Sequence, residues 1–232
     1  MTHRTTQPEA VLYFIGDQLL FEHRTTDGAI VRKCISPHTA RQAFTHEPLD
    51  SGWLSPRVVR WGHNRVGPWC LQRYDPDAYT IRLNPPLVHP TTHAPMQELR
   101  VTLPGFLFLG VKRTYFLWAY RAWAHEQTRL YHAPLPNIHD DGRICFGSAR
   151  APLVSGQTIA DAWGLFWESR FNKDLSRNRT QRHADNVLHL LAELHQPTDA
   201  RRPFPTRTLK ATSLDLAGLL GQLNQSAETR DR

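Results

Sequence analysis

The densest apolar block of the chain runs from Leu99 to Trp123, and it limits what the rest can fold into. Leu99–Leu103 alternates, Pro104-Gly105 punctuates, and Phe106–Val111 is almost wholly apolar. Lys112-Arg113-Thr114 marks a turn, and Tyr115–Trp123 is again rich in aromatic residues. A continuous apolar run of strand length reads as a central strand buried on both faces. For 115–124 a buried helix is the alternative, because Ala119, Ala122 and Ala124 favour it and periodicity does not separate the two.

Central strands need neighbours. Val11–Ile15 and Leu19–Phe21, parted by Gly16-Asp17, predict a hairpin. A third strand is expected at Ala29–Ile35, ended by Pro37, with a short helix over 38–44. Arg57–Trp61 and Trp69–Tyr74 are strand-like around a polar turn at 62–65, and Tyr79–Leu83 adds a short piece. Pro85, Pro86, Pro90 and Pro95 make 84–96 read as an extended connector.

Downstream the period turns helical. Thr158 with Asp161 has the form of a capping box. Trp163, Phe166, Trp167 and Phe171 follow at helical spacing, as a core stripe. Ser176–Leu194 predicts a second helix, with Val187, Leu190, Leu191 and Leu194 on its apolar face and Arg177, Arg179 and Arg182 in its first half. Residues 198–211 are basic and proline-containing, and Ser213–Leu223 fits a short amphipathic helix. Strands followed by helices predict an α+β fold, an antiparallel β-sheet packed by C-terminal helices. The expected organisation is one domain over 1–196 with an N-terminal strand extension. A tail over 197–232 follows, made of basic linker, short helix and flexible end.

Composition narrows the function. Of 232 residues 40 % are apolar, with 7 Trp, 10 Phe and 6 Tyr, which is enough for a real core and excludes global disorder. The formal charge of +7 fits a solvated surface or an acidic partner, either nucleic acid or protein. For nucleic acid the candidates are Arg170, Lys173, Arg177, Arg179 and Arg182, with Arg201, Arg202 and Arg207. Three cysteines without close spacing make no disulfide framework and imply a cytoplasmic location. The first residues carry no apolar signal core, and no apolar run reaches the ~18 residues that a membrane span needs.

Several chemistries are excluded by spacing. There is no Cys-x2-Cys pair, and no second histidine follows His125-Glu126 at a zinc-binding distance. His183, His189 and His195, six apart, do not share a helix face, so no metal site is expected. No phosphate-binding glycine loop occurs, and no cofactor is implied. Cys34 and Cys70 lie in apolar strand-like segments and read as small core residues. Cys145 differs, because it follows a turn.

That turn is Leu135-Pro-Asn-Ile-His-Asp-Asp-Gly-Arg-Ile-Cys-Phe-Gly147. Pro136 fixes the incoming backbone, Asp140-Asp141-Gly142 supply a tight reversal, and Ile144 can anchor the returning chain. Gly142 reads as a residue with positive φ. A thiol held beside Gly147 and Ser148 is a candidate nucleophile, and His139 and His132 lie near enough in sequence for a cysteine–histidine hydrolase to stay open.

The spacing Pro136-Asn137-Ile138, three residues, Gly142-Arg143-Ile144-Cys145 resembles the active-site signature of ubiquitin-conjugating enzymes. Among prokaryotic relatives it is similar to the protein B family of PRTRC systems, carried on plasmids and genomic islands. The family histidine before Pro-Asn is Leu135 here. The resemblance implies a UBC-like fold with the cysteine loop after the sheet. It implies that Cys145 takes a ubiquitin-like protein as a thioester from a ThiF-like activating enzyme and passes it to an amine. Asn137 would donate its side-chain NH2 to the oxyanion or order the loop. Pro136, Ile138, Gly142 and Ile144 would support that loop, and Asp140 and Asp141 would orient the amine or simply make the turn. A JAB-type metallopeptidase is a further implied partner. Two other readings stand beside it: a non-catalytic scaffold on the same fold, and a DNA-binding accessory protein.

Overall fold

The computed structural model describes residues 10–16, 18–37, 39–40, 53–64, 66–89, 93–196 and 202–225. The chain divides into two compact units, Met1–Ser51 and Gly52–Arg232.

In the first unit β1 (Ala10–Ile15), β2 (Gln18–Arg24) and β3 (Ile30–Ile35) form an antiparallel meander in that order. Leu12 faces Phe21, and Phe14 faces Leu19, which in turn faces Ile35. No residue of these strands is buried. Cys34, expected in a core, is exposed opposite Leu20, in strands whose side chains all keep some contact with solvent. The helix expected over 38–44 lies outside the described residues at 38 and from 41 on.

The second unit is built on a six-stranded sheet in the order β11-β10-β9-β8-β5-β4. Its strands are β4 (Val58–Asn64), β5 (Gly67–Tyr74), β8 (Gly105–Val111), β9 (Thr114–Tyr120), β10 (Arg129–His132) and β11 (Ala211–Asp215). Every pairing is antiparallel. Alternation sorts the side chains of β8 and β9. Phe106, Phe108, Tyr115 and Leu117 enter one core, and Leu107, Leu109, Trp118 and Tyr120 enter the other. The block from Tyr115 is thus strand, not helix. Strand wins because both of its faces meet apolar layers, which a period of two satisfies.

Helices α1 (Ile159–Glu168) and α2 (Val187–Glu193) cover the first face through Ile159, Ala162 and Phe166, and through Val187, Leu188, Leu190 and Leu191. Helix α3 (Leu216–Gln225) covers the second face with Leu216, Leu219 and Leu220. Trp163 stacks on Tyr74 with ring centroids 3.8 Å apart, and Trp167 stacks on Tyr79 at 4.3 Å, so the aromatic stripe is core. At the start of α1, Thr158 makes no capping bond with its side chain. Ser155 Oγ instead accepts from the backbone N–H groups of Gln157 and Thr158.

Three stretches differ from expectation. Residues 84–96 are not a plain connector. β6 (Asp77–Val88) runs through Pro85-Pro86 and pairs with β7 (Pro95–Leu103), with a register shift between Arg82 and Leu87. Prolines fit there because Pro85 and Pro86 fall inside that shift, where no rung of the β6–β7 ladder needs their missing N–H. The helix expected from Ser176 starts only at Val187, where Asn186 caps the N–H of Leu188. The basic helix face proposed for nucleic acid is therefore absent. Arg179 is buried, and Arg182 pairs with Glu193 at 2.5 Å. Finally, Ala211–Asp215 is a strand beside β10, so the helix expected from Ser213 begins only at Leu216. Among the described residues no helix is long and apolar enough to cross a membrane.

Candidate functional site

The cysteine turn is an extension of the sheet. β10 pairs with β9 only at Trp118 and Ala119, which leaves the other half of β9 open. Residues 142–144 fill that place. The N–H of Leu117 donates to the Gly142 carbonyl, and the N–H of Ile144 donates to the Tyr115 carbonyl, both at 2.8 Å. Between these arms the chain reverses tightly. Ile138 bridges Ile144, and the N–H of His139 donates to the Arg143 carbonyl at 2.8 Å. Ile138 and Ile144 are buried and pin both arms to the core. Gly142 has φ +90°, and a Cβ there would stand 2.6 Å from the Trp118 ring, so only glycine fits without displacement.

The apex is held twice over. Asp141 Oδ1 accepts the N–H of Arg143 at 2.9 Å, as a turn-making carboxylate does. Arg179 comes from below with its side chain only 2 % exposed. It donates through Nε to the Leu175 carbonyl, through one terminal nitrogen to the His139 carbonyl, and through the other to Asp140 Oδ1 at 2.8 Å. Burial pulls the Arg179 guanidinium below its usual range, and the Asp140 carboxylate opposes that pull. Asp140 and Asp141 line a hollow of about 680 Å3 that also contains His132. They do not line the cleft of the thiol.

Asn137 is the inner corner. It adopts φ +60°, a left-handed conformation that asparagine tolerates better than most residues. Its N–H donates to the Asp174 carbonyl at 3.2 Å, and its carbonyl accepts from the N–H of Cys145 at 2.8 Å. Its side-chain NH2 donates to the Arg170 carbonyl at 3.0 Å, so the amide orders the loop against the segment after α1. Pro136 is buried behind it. So is Leu135, which occupies the family histidine's position as a core residue.

The result is an exposed thiol on a fixed backbone. Cys145 opens onto a cleft of about 550 Å3 shared with Asn137, Phe146, Leu165, Glu168 and Asp174. Cys70 is the counter-example, because burial in the core pushes its thiol up to about 11. Glu168 and Asp174 were not singled out from sequence. They reach the cleft only because α1 and the chain after it cross in front of the turn, and nothing local to them announces that. Arg179 was noticed for its charge but assigned to a helix surface, where a buried guanidinium had no place.

An antiparallel sheet with helices behind it and an exposed cysteine on a turn at its open edge fits the E2-like, ubiquitin-conjugating class. A family model described as Prokaryotic E2 family D matches residues 33–212, and the chain belongs to that family. No match was found among curated proteins or among solved structures.

Proposed function

We propose that the protein carries a ubiquitin-like protein as a thioester on Cys145 and transfers it to an amine. The thiolate of Cys145 adds to the carbonyl carbon of a thioester on a ThiF-type activating enzyme, and that enzyme's thiolate leaves. An amine then adds to the same carbonyl, the bond to Cys145 breaks, and the nitrogen gives its proton to a carboxylate on the cleft, Glu168 or Asp174. The observation that carries this reading is the exposure of Cys145 on a backbone-fixed turn, beside two carboxylates. A buried thiol would have supported the scaffold reading instead. A cassette of the PRTRC kind, with a JAB-type metallopeptidase to reverse the conjugation, is the setting that fits these partners.

Purified protein, activating enzyme, ubiquitin-like protein and ATP test it on non-reducing gels. The expected product is a thiol-sensitive adduct, absent in Cys145→Ala and converted to a thiol-resistant ester in Cys145→Ser. Wild-type protein that forms no such adduct sinks the proposal. Asn137→Ala separates two roles of the amide. Loop ordering predicts that transfer and the protection of the Cys145 N–H fall together. An oxyanion donor predicts a loss of about 10^2–10^3 in rate with protection unchanged.

A further inference from the structure

His183, Asp185 and His189 lie outside the cysteine cleft. Each brings one ligand atom to within 4.8 Å of the others. In sequence only the histidines were weighed, and their six-residue spacing put His183 and His189 on different faces of the helix expected there. The late start of α2 brings them together. His183 and Asp185 sit on the irregular return into the helix, and His189 sits in its first turn.

The surroundings hold the two rings. His183 has φ +54°, and its Nε2 lies 2.9 Å from Glu193 Oε1. His189 has Nδ1 at 3.8 Å from Asp185 Oδ2, and its Nε2 at 3.4 Å from Asn186 Nδ2. The rings stand nearly perpendicular with centroids 5.9 Å apart. A carboxylate on the far nitrogen of a ligating imidazole is the usual support of a metal-binding histidine, since it fixes the tautomer and raises the basicity of the other nitrogen. With Glu193 on Nε2 of His183, Nδ1 is the nitrogen through which this ring would meet an ion. Arg182 pairs with the other oxygen of Glu193, so Asp185 is the carboxylate left to meet the ion's charge.

We propose that His183, Asp185 and His189 form a binding site for one divalent transition-metal ion of the zinc class. Two imidazole nitrogens and one carboxylate oxygen select such an ion over calcium or magnesium, which prefer all-oxygen shells. Ligand atoms around zinc stand roughly 3.4 Å apart, so closure from the observed spacing needs movements of under about 1 Å at each side chain. The ion ties the return arm of a loop to α2. That loop starts at Ser176 and closes where the N–H of Val187 donates to the Ser176 carbonyl at 3.0 Å. Arg179, which holds the cysteine turn, is inside it. The site is therefore structural, and it stiffens a support of the turn without touching the thiol. The proposal does not depend on the transfer chemistry.

Calorimetric titration of the full chain with zinc chloride, alongside the ring-nitrogen resonances of its histidines, tests it. One ion per chain is expected, moving the resonances of His183 and His189 and slowing exchange of the Asn178 and Gln181 N–H groups. His189→Ala and Asp185→Asn each weaken binding by more than about tenfold, and Glu193→Gln by about tenfold. His63→Gln, on an exposed histidine elsewhere, leaves binding unchanged. Asp185→Asn changes an exposed side chain, so its result does not hinge on folding. Three results overturn the site: no binding by the wild type, equal binding by His189→Ala and Asp185→Asn, or binding lost in Cys34→Ser or Cys145→Ser, which would put the ion on a thiol.

Discussion

Residues 135–147 and 174–186 are both irregular, and both use left-handed residues: Asn137, Gly142 and Gly147 in one, Leu175, Asn178 and His183 in the other. They are stabilised differently. The first is largely backbone-held, paired with β9 and anchored by two buried isoleucines. The second is held at polar points. The N–H of Asn178 donates to the Ala184 carbonyl, the N–H of Gln181 donates to the Thr208 carbonyl, and Arg179 is buried among carbonyls. The difference teaches that the cysteine turn does not support itself alone. Its apex and its inner corner are both fastened to a segment some thirty to forty residues downstream, at 139 to 179 and at 137 to 174.

The largest effect is expected from cutting the fastening. Arg179→Met fills similar space but leaves the Leu175 and His139 carbonyls without this donor, while exposed Asp140 rehydrates. A loss of about 3 kcal/mol in urea unfolding follows from two carbonyls losing their partner. Hydrogen exchange should speed up in both segments, at Gly142 and at Asn178. Acceleration at Asn178 alone would show that the turn stands without its support.

Gly142→Ala attacks the turn only. The methyl group meets the Trp118 ring on a backbone that resists any side chain. The expected cost is about 2 kcal/mol, with a changed near-ultraviolet signal from Trp118 and no change in exchange at Asn178. Loosening on both sides would mean that the dependence runs in both directions.

The smallest effect is a slope against pH. Burial, then Arg179 and Lys210, hold the His132 imidazole below its ordinary value. As pH falls below about 6.5 the unfolded chain takes up this proton first, so stability declines from there down to the folded-state pKa. His132→Gln should flatten that decline in thermal melts between pH 7 and pH 5.5. Arg179→Met, by removing one of the cations, should reduce it partway. A variant with the wild-type slope would remove His132 from the account.

The two segments were not equally readable. Residues 135–147 announce themselves through local chemistry: a proline, two aspartates before a glycine, and isoleucines placed to anchor both arms. The central strands were equally open, because apolar runs between turn residues have few other uses. Residues 176–186 hold no glycine or proline, and their arginines sit where a helix would show them to solvent. The helix pattern of 187–194 therefore extends backward on paper. What stops it is the burial of Arg179 and the left-handed Asn178 and His183, which follow from tertiary packing. Asn186, a capping residue directly before an apolar run, was the one local sign of the true start. The strand at 211–215 was missed for a similar reason, since its alternation is short and its partner lies some eighty residues earlier in β10.

Cys34 faces outward from β3, as Cys145 does from its turn, whereas Cys70 is closed off. A thiol reagent applied to the folded chain should thus count two sites rapidly and a third only on unfolding. Under the proposed function Cys34 is a decoy, able to link chains through an oxidised bridge whose band on a non-reducing gel imitates a conjugate. Replacing Cys34 by serine gives the clean background. Hydroxylamine, which cleaves a thioester but leaves a disulfide intact, tells the two species apart.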